Sequence, residues 1–141
     1  MGDVETIHLG PGQMLAVQAD TPDRVVVVST WSPNGTPGPS HYHPEQTEHF
    51  EVLEGVLTVE QDGRSSERYE AGATLTVGSG VAHRMWNASD APTQARWVVT
   101  PALGTLAMWR GVARGGVRAK LTVLLRHRRE FRLRGIKPPA R

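Results

Sequence analysis

The segment that most constrains this chain covers residues 35–55, where two histidines lie one residue apart and a glutamate follows. Residues i and i+2 of a β-strand point to the same face, so His41 and His43 are predicted to project their imidazoles together. On one uninterrupted strand, Glu48 would face the opposite way. Pro44 intervenes, and because it cannot donate to a strand ladder, it favours a turn after which Glu48 starts a new strand. Two imidazoles and a carboxylate that converge in this way indicate a metal site.

A second segment, residues 72–87, adds another histidine. It consists of a short predicted strand, a Gly-Ser-Gly turn, and a further predicted strand that opens with His83. A bare His-x-His strand would more often be two polar residues that face solvent. The spacing of Glu48 and His83 relative to these two histidines favours metal binding instead, because converging imidazoles without a partner are costly to bury.

The two segments resemble the paired motifs of the cupin superfamily over about residues 20–100. The first motif is a Gly, five residues, His-x-His, four residues, Glu, six residues and a Gly, and it is matched by Gly35, His41, His43, Glu48 and Gly55. The second motif is a Gly, five residues, Pro-x-Gly, two residues, His, three residues and an Asn. Its matching residues are Gly72, Gly80, His83 and Asn87. Gly78 replaces the usual proline, which affects the rigidity of a turn and not a ligand.

This resemblance implies a metal held by His41, His43, Glu48 and His83, in an all-β, double-stranded β-helix (a jelly-roll barrel). The residues themselves predict eight to ten short strands with closely spaced turns, which is typical of a sandwich or small barrel. We expect residues 1–100 to form the barrel domain. Residues 101–141 are expected to form a basic, α-helical extension packed on the outside of the barrel or over its mouth.

Composition excludes several classes of protein. The chain has no cysteine, so disulfide and thiolate chemistry is absent, and it has no run of 18 apolar residues that would span a membrane. No basic-then-apolar leader pattern opens the sequence, and a cytoplasmic location is the default expectation. The sequence also lacks a phosphate loop, a dinucleotide-binding fingerprint and a Gly-x-Ser-x-Gly motif.

Charge is unevenly distributed along the chain. Residues 110–141 contain eleven Arg and Lys and one acid, whereas residues 1–109 carry a net charge of about −8. We expect a docked amphipathic helix near residues 117–129, whose apolar stripe of Val117, Leu121, Leu124 and Leu125 packs on the barrel or on a second copy. Contact of this basic tail with a membrane surface is an alternative that we do not favour. No nucleic-acid partner is expected, because no helix-turn-helix pattern or aromatic-basic platform accompanies the charge.

Strand alternation also predicts part of a pocket wall. Phe50 and Val52 share the parity of Glu48, and Met85 and Asn87 share that of His83. These residues either line a small-molecule pocket or belong to the plain core. The donor set suits one divalent transition metal per chain, namely Fe, Mn, Ni, Co, Cu or Zn.

Our leading hypothesis is a metal-dependent enzyme that acts on a small organic substrate. We slightly favour dioxygenase-type oxidation over non-redox cyclisation or isomerisation of the kind that polyketide cyclases perform, since three histidines and a glutamate suit iron. The catalytic residues beyond the metal site are unknown. The alternatives are a non-catalytic module that binds metal and a small ligand for sensing or transport, and a structural metal site in an interaction protein. The resemblance also leads us to expect a homodimer.

Overall fold

A computed structural model describes residues 3–62 and 64–134, which form eleven strands and two helices. The N-terminal elements are β1 (Thr6–Gly10), β2 (Gln13–Thr21), β3 (Arg24–Trp31), β4 (His41–Tyr42), β5 (Thr47–Glu54) and β6 (Val56–Gln61). The remaining elements are β7 (Glu67–Glu70), β8 (Thr74–Val77), β9 (His83–Trp86), β10 (Thr93–Thr100), α1 (Thr105–Ala113), α2 (Val117–Arg126) and β11 (Arg132–Leu133).

The strands form two antiparallel sheets that face each other. The larger sheet has the order β1-β2-β3-β10-β5-β8, and the smaller one has the order β11-β4-β9-β6-β7. Neighbours in the sheets are largely non-consecutive in the chain, as in a jelly roll, so the predicted fold class is confirmed. Each strand has one face toward the space between the sheets, and that space contains both the core and the site.

Strand β5 shows how the sequence sets the two faces. Glu48, Phe50 and Val52 are buried on the inner face, and His49 is exposed on the outer face, where its ring nitrogen Nδ1 lies 3.0 Å from the Thr76 hydroxyl. The chain makes a turn directly after His43, so β5 starts anew at residue 47. Because of this turn, Glu48 faces inward like His41 and His43, although it is an odd number of residues away from each of them.

Helix α1 shares a hydrophobic core with the larger sheet. Leu106, Met108 and Trp109 of the helix pack with inner-face residues such as Val25 and Val27. The extension therefore covers part of the inner face of the large sheet, over the mouth of the barrel and not on its outside. The division of the chain at residue 100 stays a prediction, and residues 135–141 of the expected extension lie outside the described residues.

Helix α1 continues through Gly111 to Ala113. A Cβ on residue 111 would lie 2.6 Å from a Val123 methyl group, so glycine permits the close approach of α2. The helix stays intact because the packing that this glycine allows outweighs its low helix propensity.

Apart from the half-buried Leu124, the apolar stripe of α2 does not pack on the barrel as expected, and its packing on a second copy stays a prediction. Val117, Leu121 and Leu125 are 75%, 55% and 72% exposed, and Val123 is the residue of α2 that is buried. Contact with α1 through Val123 decides which face of α2 turns inward, and the helical periodicity by itself does not. Neither helix in the described part of the chain is long and apolar enough to cross a membrane.

Gly55 should be irreplaceable at the turn between β5 and β6. Its φ is +78°, and a Cβ there would clash with the Pro92 carbonyl oxygen and lie 2.7 Å from the Thr93 hydroxyl. We expect Gly55→Ala to lower the free energy of unfolding by at least about 2 kcal/mol, from backbone strain plus steric overlap. Urea unfolding of the two proteins measures this difference. Gly12→Ala is the matched control, since nothing lies within 4 Å of its added methyl group, and an equal loss in both variants would contradict the prediction.

Candidate metal centre

Three histidine side chains meet between the sheets. His41 on β4 pairs in register with His83 on β9, and His43 follows directly after β4. One ring nitrogen from each of the three lies within 4.8 Å of the others. The ring centroids are 4.5 Å apart for His41 and His83, and 5.2 Å apart for the other two pairs. The fold thus brings together the imidazoles that the spacing of the sequence predicts to converge.

A backbone carbonyl orients each imidazole through its Nδ1 atom. The distances are 3.2 Å from His41 to the Pro39 oxygen, 2.7 Å from His43 to the Glu130 oxygen, and 2.9 Å from His83 to the Val81 oxygen. A carbonyl only accepts, so Nδ1 must carry the proton and Nε2 keeps its lone pair. This is the arrangement by which histidine ligands of metals are held in the correct tautomer.

Glu48 is buried beside two of these rings. Its Oε1 atom lies 2.8 Å from His43 Nε2 and 2.9 Å from His83 Nε2. The indole of Trp97 donates a hydrogen bond of 2.7 Å to the other carboxylate oxygen, Oε2. Glu48 therefore presents one oxygen to the histidines while a neighbouring strand fixes the second.

The buried atoms at the centre of this cluster fit a metal ion. His43 Nε2 and Glu48 Oε1 lie 2.8 Å apart, and both are buried without a hydrogen-bond partner in the described part of the chain, because with the proton on Nδ1 both atoms are acceptors. Buried polar atoms without partners are costly, and a cation would satisfy both at once. Three neutral nitrogens and one carboxylate oxygen are suitable donors for a divalent transition metal.

The pKa values of these groups follow from burial and from their neighbours. Burial, reinforced by His83 and His43, lowers the pKa of His41 to about 4. For His43, burial acts against protonation, but contact with Glu48 and the Glu130 carbonyl outweighs it and raises the pKa. For Glu48, burial favours the neutral acid, yet His43 and His83 outweigh burial and lower the pKa far below its usual value. At neutral pH the cluster therefore offers a carboxylate and at least one neutral imidazole.

The C-terminal extension contributes to the site in a way that the sequence did not indicate. Strand β11 pairs with β4, so Leu133 lies opposite His41. Phe131 stacks on the His41 ring at 4.7 Å with an interplanar angle of 25°, next to the Glu130 carbonyl that holds His43. The extension is thus part of the wall behind the histidines as well as a cover for the barrel.

The loop between His43 and Glu48 is fixed by the same extension. The Gln46 side chain is buried, with its amide nitrogen 2.8 Å from the Pro101 oxygen and 2.7 Å from the Thr105 hydroxyl. Glu45 forms a two-point ion pair with Arg129, at 3.0 and 3.1 Å. These contacts hold the turn that directs Glu48 inward.

A cavity of about 910 Å³ opens from the histidines toward the helices. Of the residues predicted to line a pocket, Phe50, Met85 and Asn87 are on its wall. Val52 is not on the wall and packs in the hydrophobic core with Leu57 and Ala95. Val52 has the right parity but lies four residues from Glu48, which is about 13 Å along a strand. The Asn87 side chain is engaged structurally, donating to carbonyl groups that include Ala91 O at 2.7 Å.

Two orienting groups were missed by sequence reasoning. Neither motif includes Trp97, and Glu130 contributes through its backbone oxygen, which leaves no trace in the sequence. The pairing of β10 with β5 shows why Trp97 reaches the site. Trp97 is the cross-strand partner of Phe50, which faces inward with Glu48, so the Trp97 side chain also faces inward.

Comparison with known proteins supports this fold. The family described as "Cupin domain" matches residues 27–99. KdgF from Halomonas sp. superposes with a TM-score of 0.64 and 20% identity, covering 72% of this chain and 92% of that one. An uncharacterised protein with a double-stranded β-helix domain from Klebsiella pneumoniae gives 0.59 and 27%, covering 66% and 80%.

A sugar phosphate isomerase of the cupin superfamily from Silicibacter pomeroyi gives a TM-score of 0.60 and 24% identity, covering 69% of this chain and 71% of that one. A search of curated proteins found no similar sequence. Because the family match spans more than half of the chain and includes all three clustered histidines, the chain belongs to the cupin domain family.

Proposed function

We propose that this protein is a metal-dependent enzyme that acts on a small organic molecule, with the metal held by His41, His43, Glu48 and His83. The observation that carries the proposal is the convergence of three imidazoles, each oriented by a carbonyl at Nδ1, at the inner end of a large cavity. A pocket of this size admits a small organic molecule, and the metal ligands lie on its wall.

The number of protein donors determines what a bound ion could do. Four protein ligands would saturate a tetrahedral zinc ion and make the site structural, whereas an ion that takes six ligands would keep two positions for substrate, water or dioxygen.

The residues of the chain have separate roles in this proposal. The bound metal would supply Lewis acidity or redox chemistry at a substrate oxygen. The carbonyl groups of Pro39, Glu130 and Val81 keep the imidazole lone pairs directed inward, and Trp97 orients the carboxylate. Oxidation by dioxygen and non-redox cyclisation or isomerisation would use the same donors. We place oxidation slightly ahead, because three histidines and a glutamate suit iron.

The experiment is elemental analysis of protein purified without chelator, followed by a search for ligand density in a crystal. We expect about one equivalent of a transition metal per chain. Iron, manganese, nickel, cobalt or copper would support catalysis, and zinc with only four protein ligands would indicate a structural site. Protein free of metal that also fails to take up any of these ions would contradict the proposal.

Metal affinity should decrease as the pH is lowered, because only deprotonated imidazoles bind metal. His43 has a raised pKa, so its proton begins to compete with the metal above pH 6.5, the ordinary value for histidine. His41 should compete only near pH 4, its lowered value. Titration of the metal-free protein with Zn²⁺ at several pH values measures the effect, and an affinity that is unchanged between pH 7.5 and pH 5 would exclude these histidines as ligands.

A further inference from the structure

The cavity beside the histidines collects nearly all of the chain's large aromatic surface. The sequence contains four tryptophans and two phenylalanines, and every one of them is on the wall of this cavity. They are Trp31, Trp86, Trp97, Trp109, Phe50 and Phe131. Since only 6% of the residues are aromatic, this concentration gives the cavity flat, apolar walls that the rest of the molecule lacks.

Part of this surface is open toward the cavity. Phe50 and Trp109 are buried in the hydrophobic core, where they support the cavity wall. Trp86, Trp97 and Phe131 are half-buried. Trp97 packs against Phe50 and Trp109, and Phe131 stacks on His41, so these two rings offer the cavity the surface that those contacts leave uncovered. Packing in the core explains the positions of Phe50 and Trp109. Partly exposed rings around one cavity are instead suited to contact with a flat ligand.

The positive charges on the cavity wall are poorly placed to bind an anion inside it. Arg84 is held by both carboxylate oxygens of Glu60, at 3.2 and 3.1 Å. Lys120 lies on α2 and is exposed at the rim. Glu48 adds a negative charge at the inner end. In the described part of the chain, a phosphate group inside the cavity would therefore meet no free cationic side chain, and the proposed metal ion would be its one cationic partner.

We propose that the ligand of this cavity is a largely apolar, flat molecule of two or more fused rings that carries oxygen atoms able to bind the metal, an inference that rests on the proposed metal-dependent function. Its rings would lie against the aromatic walls, and its oxygens would be directed toward the end formed by His41, His43 and His83. The volume of about 910 Å³ accommodates such a molecule and greatly exceeds the needs of a two-carbon acid.

Binding of three probes to the protein loaded with manganese(II), an ion that takes six ligands, tests the ligand class. The probes are 2,3-dihydroxynaphthalene, catechol and oxalate, which have two rings, one ring and no ring, respectively, and each offers two neighbouring oxygens. Calorimetry gives the dissociation constants, and tryptophan fluorescence is an independent readout because all four tryptophans surround the cavity. We expect the naphthalene probe to bind about tenfold more tightly than catechol, from the additional apolar area buried, and oxalate to bind most weakly.

Matched variants locate the binding. Val112 lines the cavity on α1, and Ala107 is exposed on the same helix and is not part of the wall. Val112→Trp should fill the space and weaken the naphthalene probe at least tenfold, whereas Ala107→Trp should not change it. If Val112→Trp fails to fold, Leu124→Asp on the wall and Leu125→Asp at an exposed position form a second pair with the same expected contrast.

The outcomes separate this inference from the proposed function. Stoichiometric metal together with tighter binding of oxalate than of the naphthalene probe would overturn the ring preference and leave metal dependence intact. Equal effects of the two variants in a pair would likewise overturn it. If the protein binds no metal, the proposed function fails, and 2-naphthol must then still bind the metal-free protein more tightly than phenol for the aromatic cavity to stand.

Discussion

Replacing His41 with alanine is expected to weaken metal binding by a factor on the order of a hundred to a thousand. Four ligands share a binding free energy of about 10–16 kcal/mol in zinc sites, so one ligand accounts for roughly 3–4 kcal/mol. Turnover, once a substrate is known, should be lost with the metal. Competition with a chromogenic chelator gives the affinity, and activity is measured with one equivalent of metal per chain, at which only the native site is filled.

The metal-free form of this variant should remain folded. Burial lowers the pKa of His41 to about 4, so the imidazole is neutral at pH 7 and its removal leaves no unpaired charge. A small cavity remains beside Phe131, whose ring stacks on His41. We therefore expect circular dichroism to be unchanged and the loss of affinity to reflect the ligand itself.

His49→Ala is the matched control for the same experiment. His49 lies one residue from Glu48, but its ring is on the outer face of β5 against Thr76. Its removal should leave the metal affinity unchanged. Equal affinities of the His41 and His49 variants would contradict the assignment of His41 as a ligand, and full turnover in the His41 variant would contradict metal catalysis.

The convergence of the three histidines and Glu48 was predictable because short-range rules determine it. Alternation along a strand places His41 and His43 on one side, and the turn at Pro44 restores the inward orientation of Glu48. His83 follows a turn at a fixed offset within the second motif, and the structure pairs it in register with His41. Local spacing therefore carried both the fold class and the residues that converge.

The parts that could not be predicted depend on contacts between distant residues. Glu130 is 87 residues from His43, and its contribution is a backbone oxygen that any residue type would offer. The inward face of α2 is determined by how Val123 packs against Gly111, not by the stripe of leucines. Periodicity identifies a helix and an apolar face but does not indicate which residues meet that face.

Trp97→Phe should weaken metal binding by about 10- to 100-fold, although Trp97 is not a predicted ligand. Its indole N–H donates to Glu48 Oε2 at 2.7 Å, and partners that orient ligands typically have effects of this size. Phenylalanine preserves the ring stack on Phe50, at 5.3 Å in the native chain, but removes the donor. The buried carboxylate, which is 1% exposed, would lose one hydrogen bond and the fixed orientation of its second oxygen.

Stability and affinity together distinguish this role from simple packing. Loss of a hydrogen bond to a buried charged group costs about 1–3 kcal/mol, so the metal-free variant should also unfold more easily. Trp109→Phe is the control, because this ring packs 4.7 Å from Trp97 and its indole has no hydrogen bond to Glu48 in the described part of the chain. Both variants lose the same ring volume. If they lost metal affinity equally, Trp97 would be a packing residue, whereas a deficit confined to Trp97→Phe would show that the orientation of Glu48 tunes the site.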